Sequence, residues 1–108
     1  MPSLPILFVS LCGLFAASAF AQTVDAAVDL AKANGCYSCH ANAEKVVGPA
    51  YSAVAEKYAG DKDAAASLVQ SIKYGSKGKW GRIPMPAHAS MSDADLKTLA
   101  NWVLTVKP

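Results

Sequence analysis

The sequence predicts an all-α protein, and three features of its 108 residues support that class. Four segments repeat apolar side chains at i, i+3, i+4 and i+7, the spacing of one helix face. No segment alternates apolar and polar residues as a half-buried strand does. The boundaries of the periodic segments carry the Gly, Pro, Asn, Asp and Ser residues that start and stop helices.

Residues 1–21 stand apart. They hold no charged side chain, run apolar over 4–15, and end in Ala19-Phe20-Ala21, a small-x-small pattern followed by Gln22. That layout predicts a secretory leader cleaved after Ala21, and therefore a periplasmic protein. The Lys or Arg that normally precedes the apolar run is missing, so retention as a membrane anchor is the alternative. Cys12 is a poorer lipid-attachment site, because Val9-Ser10-Leu11 lacks the small residue such sites prefer. Residues 22–108 then form one small domain. It keeps all ten Lys/Arg and all eight Asp/Glu, for a formal charge of +2, and loses all three Phe. A chain this short buries a modest share of its surface and often completes its core with a disulfide, metal or cofactor.

Within that domain the first helix is carried by Val24, Ala27, Val28 and Ala31 and closes at Asn34-Gly35. The second uses Tyr51, Val54, Ala55 and Tyr58, with Pro49 expected at its first position. The third uses Ala65, Leu68, Val69 and Ile72, with Asp61 expected to cap it. The fourth uses Leu96, Leu99, Ala100 and Val103, and opens on Ser92 as N-cap with Asp93 and Asp95 in its first turn. Two stretches resist helix assignment. One follows Tyr37 and ends at Gly48. The other, 74–91, holds Gly75, Gly78, Gly81, Pro84 and Pro86, and a loop that long in so small a domain usually has a function.

The stretch Cys36-Tyr37-Ser38-Cys39-His40 concentrates the chemistry. C-x-x-C-H is the attachment pattern for a c-type haem. Two thiols three residues apart on one helical turn can each add to one vinyl group, and the imidazole that follows is held beneath the ring to ligate iron. A thioredoxin-like redox pair would need a βαβ setting, which the pattern lacks. A zinc site would have to be built from Cys36, Cys39, His40 and His88, and adjacent Cys39 and His40 are badly spaced for a tetrahedron. A plain disulfide leaves His40 without a role. One covalently bound haem is the favoured reading.

The second axial ligand is expected from the 74–91 loop, where Met85, His88 and Met91 are the candidates. Met91 lies just before the cap Ser92 and five positions before Leu96, the spacing of a hydrophobic staple, which explains it structurally. Met85 sits between Pro84 and Pro86. Each proline fixes its own φ and extends the residue before it, so 83–86 is a stiff rod that presents a thioether at a set position. Met85 is therefore the expected ligand, with gap-filling in the core as its alternative.

The segments "GCYSCH", "VGPAY", "IKYGSKGKWGRIPMPAH" and "DLKTLANWVL" resemble, in order and spacing across 24–106, the class I c-type cytochromes, and among them the small bacterial cytochrome c-551 group. The resemblance implies four to five short helices wrapped around one covalently bound haem, with His40 and Met85 as axial ligands. It further implies that the Pro49 carbonyl accepts a hydrogen bond from His40, that Trp80 donates to a haem propionate, and that the terminal helices cross near Gly35 and Trp102. This chain departs from the family pattern twice. His88 replaces an asparagine that normally steers the methionine sulfur, and Ser71 replaces an arginine near a propionate, which implies a propionate less well neutralised unless Lys73 or Arg82 substitutes.

With both axial positions filled the iron can only pass single electrons, so the expected function is a soluble one-electron carrier between respiratory redox proteins, not an enzyme. The alternative is a haem c sensor or enzyme, if Met85 is displaced or His88 ligates. Residues 64–92 contain Lys73, Lys77, Lys79 and Arg82 and no Asp or Glu, which predicts a basic rim that steers acidic redox partners. The small net charge and the lack of an aromatic-basic array argue against nucleic acid. The mature domain is expected to be a monomer without a membrane span.

Overall fold

The computed structural model describes residues 2–5 and 16–108. Cys12 and most of the leader's apolar run lie outside the described residues. The chain folds into α1 (Ala16–Ala33), a single 3-10 turn (Cys36–Ser38), α2 (Tyr51–Lys57), α3 (Ala64–Tyr74) and α4 (Asp93–Val103). Among the described residues there is no strand, only two isolated bridges, His40 with Lys45 and Ser76 with Met85. No described helix is long and apolar enough to cross a membrane.

α1 begins eight residues before Val24, because the Ala-rich run from Ala16 has high helix propensity and continues the same helix. Its end follows the sequence closely. The Asn34 backbone N–H and side-chain Nδ2 both donate to the Leu30 carbonyl, and Gly35 turns the chain at φ +70°.

Two helix starts differ from expectation. Pro49 lies outside α2, whose N-cap is Ala50. The first N–H groups of α2 are satisfied from outside: Tyr51 donates to the Ala41 carbonyl and Ser52 to that of Asn42, each at 2.9 Å. Asp61 does not cap α3, whose N-cap position is Asp63. Instead the Asp61 carboxylate accepts from the Asp63 N–H at 2.8 Å, an Asx turn that aims the chain into the helix. The fourth start agrees with expectation, since the Ser92 hydroxyl accepts from the Asp95 N–H at 3.2 Å.

α4 is the hub, packing against each of the other three helices. The core gathers Ala27 and Ala31 of α1, Tyr51 and Val54 of α2, Leu68 of α3, and Leu99, Ala100, Trp102 and Val103 of α4. Ala27, Ala31 and Ala100 are all 0% exposed, so the terminal helices meet through small side chains. Gly35 does not mark a close crossing. A Cβ there would find only the Ser38 hydroxyl, at 3.9 Å, and its left-handed φ is what requires glycine.

Leu96, the largest fully buried side chain among the described residues, lies in the first turn of α4. Leu96→Ala is expected to lower stability by about 2–5 kcal/mol through lost burial and an unfilled cavity. Ser92→Ala at the helix cap should cost about 1 kcal/mol. Urea unfolding of both variants checks the order, and a cap variant that costs more than the core variant would contradict it.

Candidate functional site

Cys36, Cys39, His40 and Met85 line one cavity of about 670 Å³. That volume falls within the range of roughly 300–1,000 Å³ found for small-molecule and cofactor sites. Val54, Leu68, Ile72, Leu99 and Val103 give it an apolar wall.

The cysteine side of the cavity is built by a few backbone hydrogen bonds. After Gly35 leaves α1, the N–H groups of Cys39 and His40 both donate to the Cys36 carbonyl, at 3.2 and 3.0 Å. This tight turn brings two thiols and an imidazole to one wall. The Cys39 carbonyl then accepts from Val47 and Gly48, at 3.2 and 2.7 Å, which draws the chain back past the imidazole. His40 Nδ1 donates to the Pro49 carbonyl at 2.7 Å. A carbonyl can only accept, so the ring proton is on Nδ1 and Nε2 keeps its lone pair, the tautomer a metal ligand requires.

Gly48 makes that ring position possible. A Cβ on residue 48 would lie 2.5 Å from His40 Cε1 and 2.9 Å from Nδ1. Tyr51 stacks on the same imidazole, with centroids 5.1 Å apart and planes inclined by 20°. Tyr51 also meets Trp102 edge-on at 5.0 Å, and Tyr37 meets both of them at 5.8 and 6.5 Å. Cys36 and Cys39 are free, half-buried thiols. Burial pushes the Cys36 thiol up, an effect that hydrogen bonds from its backbone and from Tyr51 only partly offset. Burial also raises the Tyr51 hydroxyl far above its usual range, with the neighbouring Cys36 adding to it. Burial thus favours the neutral forms of Cys36 and Tyr51.

The methionine side depends on a one-pair ladder. The Ser76 N–H donates to the Met85 carbonyl at 3.2 Å, and the Met85 N–H donates to that of Ser76 at 2.9 Å. Pro84 and Pro86 have no N–H, so Met85 is the residue of the three able to complete the pair. Gly75, at φ +75°, clears the way, since a Cβ there would lie 2.5 Å from the Met85 carbonyl oxygen. The His88 N–H donates to the Ile72 carbonyl at 2.9 Å and ties the end of the loop to the last turn of α3.

Of the three candidates in this loop, Met85 and His88 line the cavity, both half-buried. Met91 is not among its lining residues and packs against the core. Trp80, 38% exposed, stands at the cavity edge with the Lys57 ammonium 4.5 Å above its ring. Lys73 is turned away: it pairs with Asp93 at 3.6 Å and lies over the Tyr74 ring. Among the described residues no three His, Cys, Asp or Glu side chains gather to hold a metal ion.

Sequence reasoning missed Gly48, Gly75 and the second role of Tyr51. Gly75 follows directly on α3 and resembles an ordinary helix stop, while Tyr51 already had a place on an apolar helix face. Gly48, next to Pro49, carried the one usable hint, because a glycine with no turn of its own suggests a close approach.

A model of the cytochrome c family matches residues 24–107. Cytochrome c-552 of Nitrosomonas europaea is 54% identical over 97 residues, covering 88% of this chain and 94% of that protein. Cytochrome c-551 of Pseudomonas aeruginosa is 55% identical over 78 residues, 72% of this chain and 74% of that protein. The crystal structure of wild-type Nitrosomonas europaea cytochrome c552 matches with a TM-score of 0.72 at 55% identity, covering 74% of this chain and 99% of that one. The class 1 cytochrome MtoD of Sideroxydans lithotrophicus ES-1 matches with a TM-score of 0.69 at 35% identity, covering 79% and 97%.

Gly48→Ala should force the imidazole off the Pro49 carbonyl and cost about 1–3 kcal/mol through overpacking. Gly60→Ala, where φ is +77° and a Cβ would meet nothing within 4 Å, carries only backbone strain. Denaturant unfolding combined with the His40 ring resonances checks this. An unmoved His40 in the Gly48 variant would contradict the packing described above.

Proposed function

This chain belongs to the cytochrome c family, and from that premise we propose which of its residues hold the cofactor and what each does there. The protein is a small electron carrier with a covalently attached haem c. Bound, the haem supplies an iron that gains or loses one electron, with a potential set by its axial ligands and burial.

Cys36 and Cys39 are the thioether anchors. His40 ligates through Nε2, its orientation held by the Pro49 carbonyl, Gly48 and Tyr51. Met85 supplies the second axial ligand from the loop, and Trp80 donates toward a propionate at the cavity edge. The observation that carries this reading is that one apolar cavity is lined by both thiols, the imidazole and the thioether together. With both axial positions taken, the site offers no open coordination position to a substrate, so the protein is a carrier and not an enzyme. His88 lines the same cavity, which makes it the one competitor for Met85 and the basis of the alternative sensor reading.

The surface argues for acidic redox partners. Lys77, Lys79 and Arg82 are exposed on the methionine loop, while Lys73 is partly neutralised by Asp93. Encounter with a partner should therefore weaken as salt rises. The leader 1–21 directs the chain to the periplasm and is removed there, leaving 22–33 of α1 on a monomeric 22–108 domain.

The reduced wild-type holoprotein should not bind carbon monoxide appreciably, whereas Met85→Ala should bind it readily by opening the iron. His88→Asn should behave as wild type. Optical titration checks all three. Carbon monoxide binding by the wild type, or a Met85→Ala protein that stays closed until His88 is also replaced, would overturn Met85 as the ligand.

A further inference from the structure

The charge that lines the cavity is one-sided. Lys45, Lys79 and Arg82 are the charged residues among those that line the cavity, and no Asp or Glu does. Of these three cations, Lys79 is the one with a hydrogen-bonded seat among the described residues: its Nζ donates to the Ser71 hydroxyl at 2.8 Å. Ser71 lies on the stripe of α3 that also sends Leu68 and Ile72 into the cavity wall. An ammonium has three donors, and this bond uses one of them. Trp80 follows immediately in the chain and lines the same edge.

A haem is an apolar ring with two carboxylates on one side. The apolar wall suits the ring, and a cation held in place among the lining residues suits a carboxylate. Lys73, on the same helix as Ser71, pairs with Asp93 and is not a lining residue. Resting on the haem reading above, we infer that Lys79, seated on Ser71, is the cation that pairs with a haem propionate, and that Ser71 is its positioning residue. A lysine arriving from the loop and a serine on the helix thus supply together the charge and the fixed position that one long side chain on α3 would supply alone.

The sign of the effect follows from charge. The ferric state carries one more positive charge than the ferrous state, so a nearby cation favours the ferrous protein and raises the potential. The effect weakens with distance and salt. The test is voltammetry of the purified holoprotein at one pH and low salt. Lys79→Gln should lower the potential by at least roughly twice the change seen in Lys73→Gln, which removes equal charge farther from the cavity. Ser71→Ala should give part of that fall, Ser71→Thr should retain the wild-type value, and Ser71→Ala should add nothing in the Lys79→Gln background. Equal shifts for Lys79→Gln and Lys73→Gln would overturn the proposal and leave the haem reading intact. A wild-type chain purified without covalently bound haem would overturn both.

Discussion

The hydrogen bond from His40 Nδ1 to the Pro49 carbonyl, at 2.7 Å, is the constraint on which the rest of the site depends. It sets the tautomer, and with it the nitrogen that is free to bind metal. It also explains local choices that otherwise look unrelated. Residue 48 is glycine because the imidazole occupies the space a Cβ would take. Pro49 stays outside α2 with its carbonyl turned to His40, and the helix starts two residues later on carbonyls borrowed from Ala41 and Asn42. Tyr51 then lies flat against the ring and joins it to the core through Trp102. One side-chain bond thus connects the imidazole to α2 and α4.

The methionine side repeats this design with different parts. A glycine again clears space, here for the Met85 backbone, and a short ladder with Ser76 holds the residue between two prolines that cannot take part. Both segments that carry the proposed ligands are held by backbone hydrogen bonds. A shell that is already positioned has little to rearrange when charge changes inside it, which is what a carrier of single electrons needs.

Much of this was legible in the residues. C-x-x-C-H names its own chemistry, and the proline-flanked Met85 could be separated from Met91 because Met91 already had a staple position to fill. The four helices followed from periodicity, and Ser92 from its capping pattern. The misreadings share a cause. Asp61 and Pro49 were assigned to helix starts by local preference, but each is engaged by a partner that sequence does not show: the Asp63 N–H for one and the His40 ring for the other. Lys73, one conditional substitute for the missing arginine, has Asp93 beside it, a pairing that only the fold reveals. Lys79 was hidden for the opposite reason, since its partner Ser71 lies across a turn whose shape depends on Gly75.

The most direct test of the central claim is the near-infrared spectrum of the ferric holoprotein, where sulfur-to-iron coordination gives a weak charge-transfer band. With Met85 on the iron, that band is expected in the wild type and in His88→Asn, and is lost in Met85→Ala. A wild-type spectrum without it, with covalent haem present, would mean that His88 or no protein group fills the second axial position, and would contradict the account.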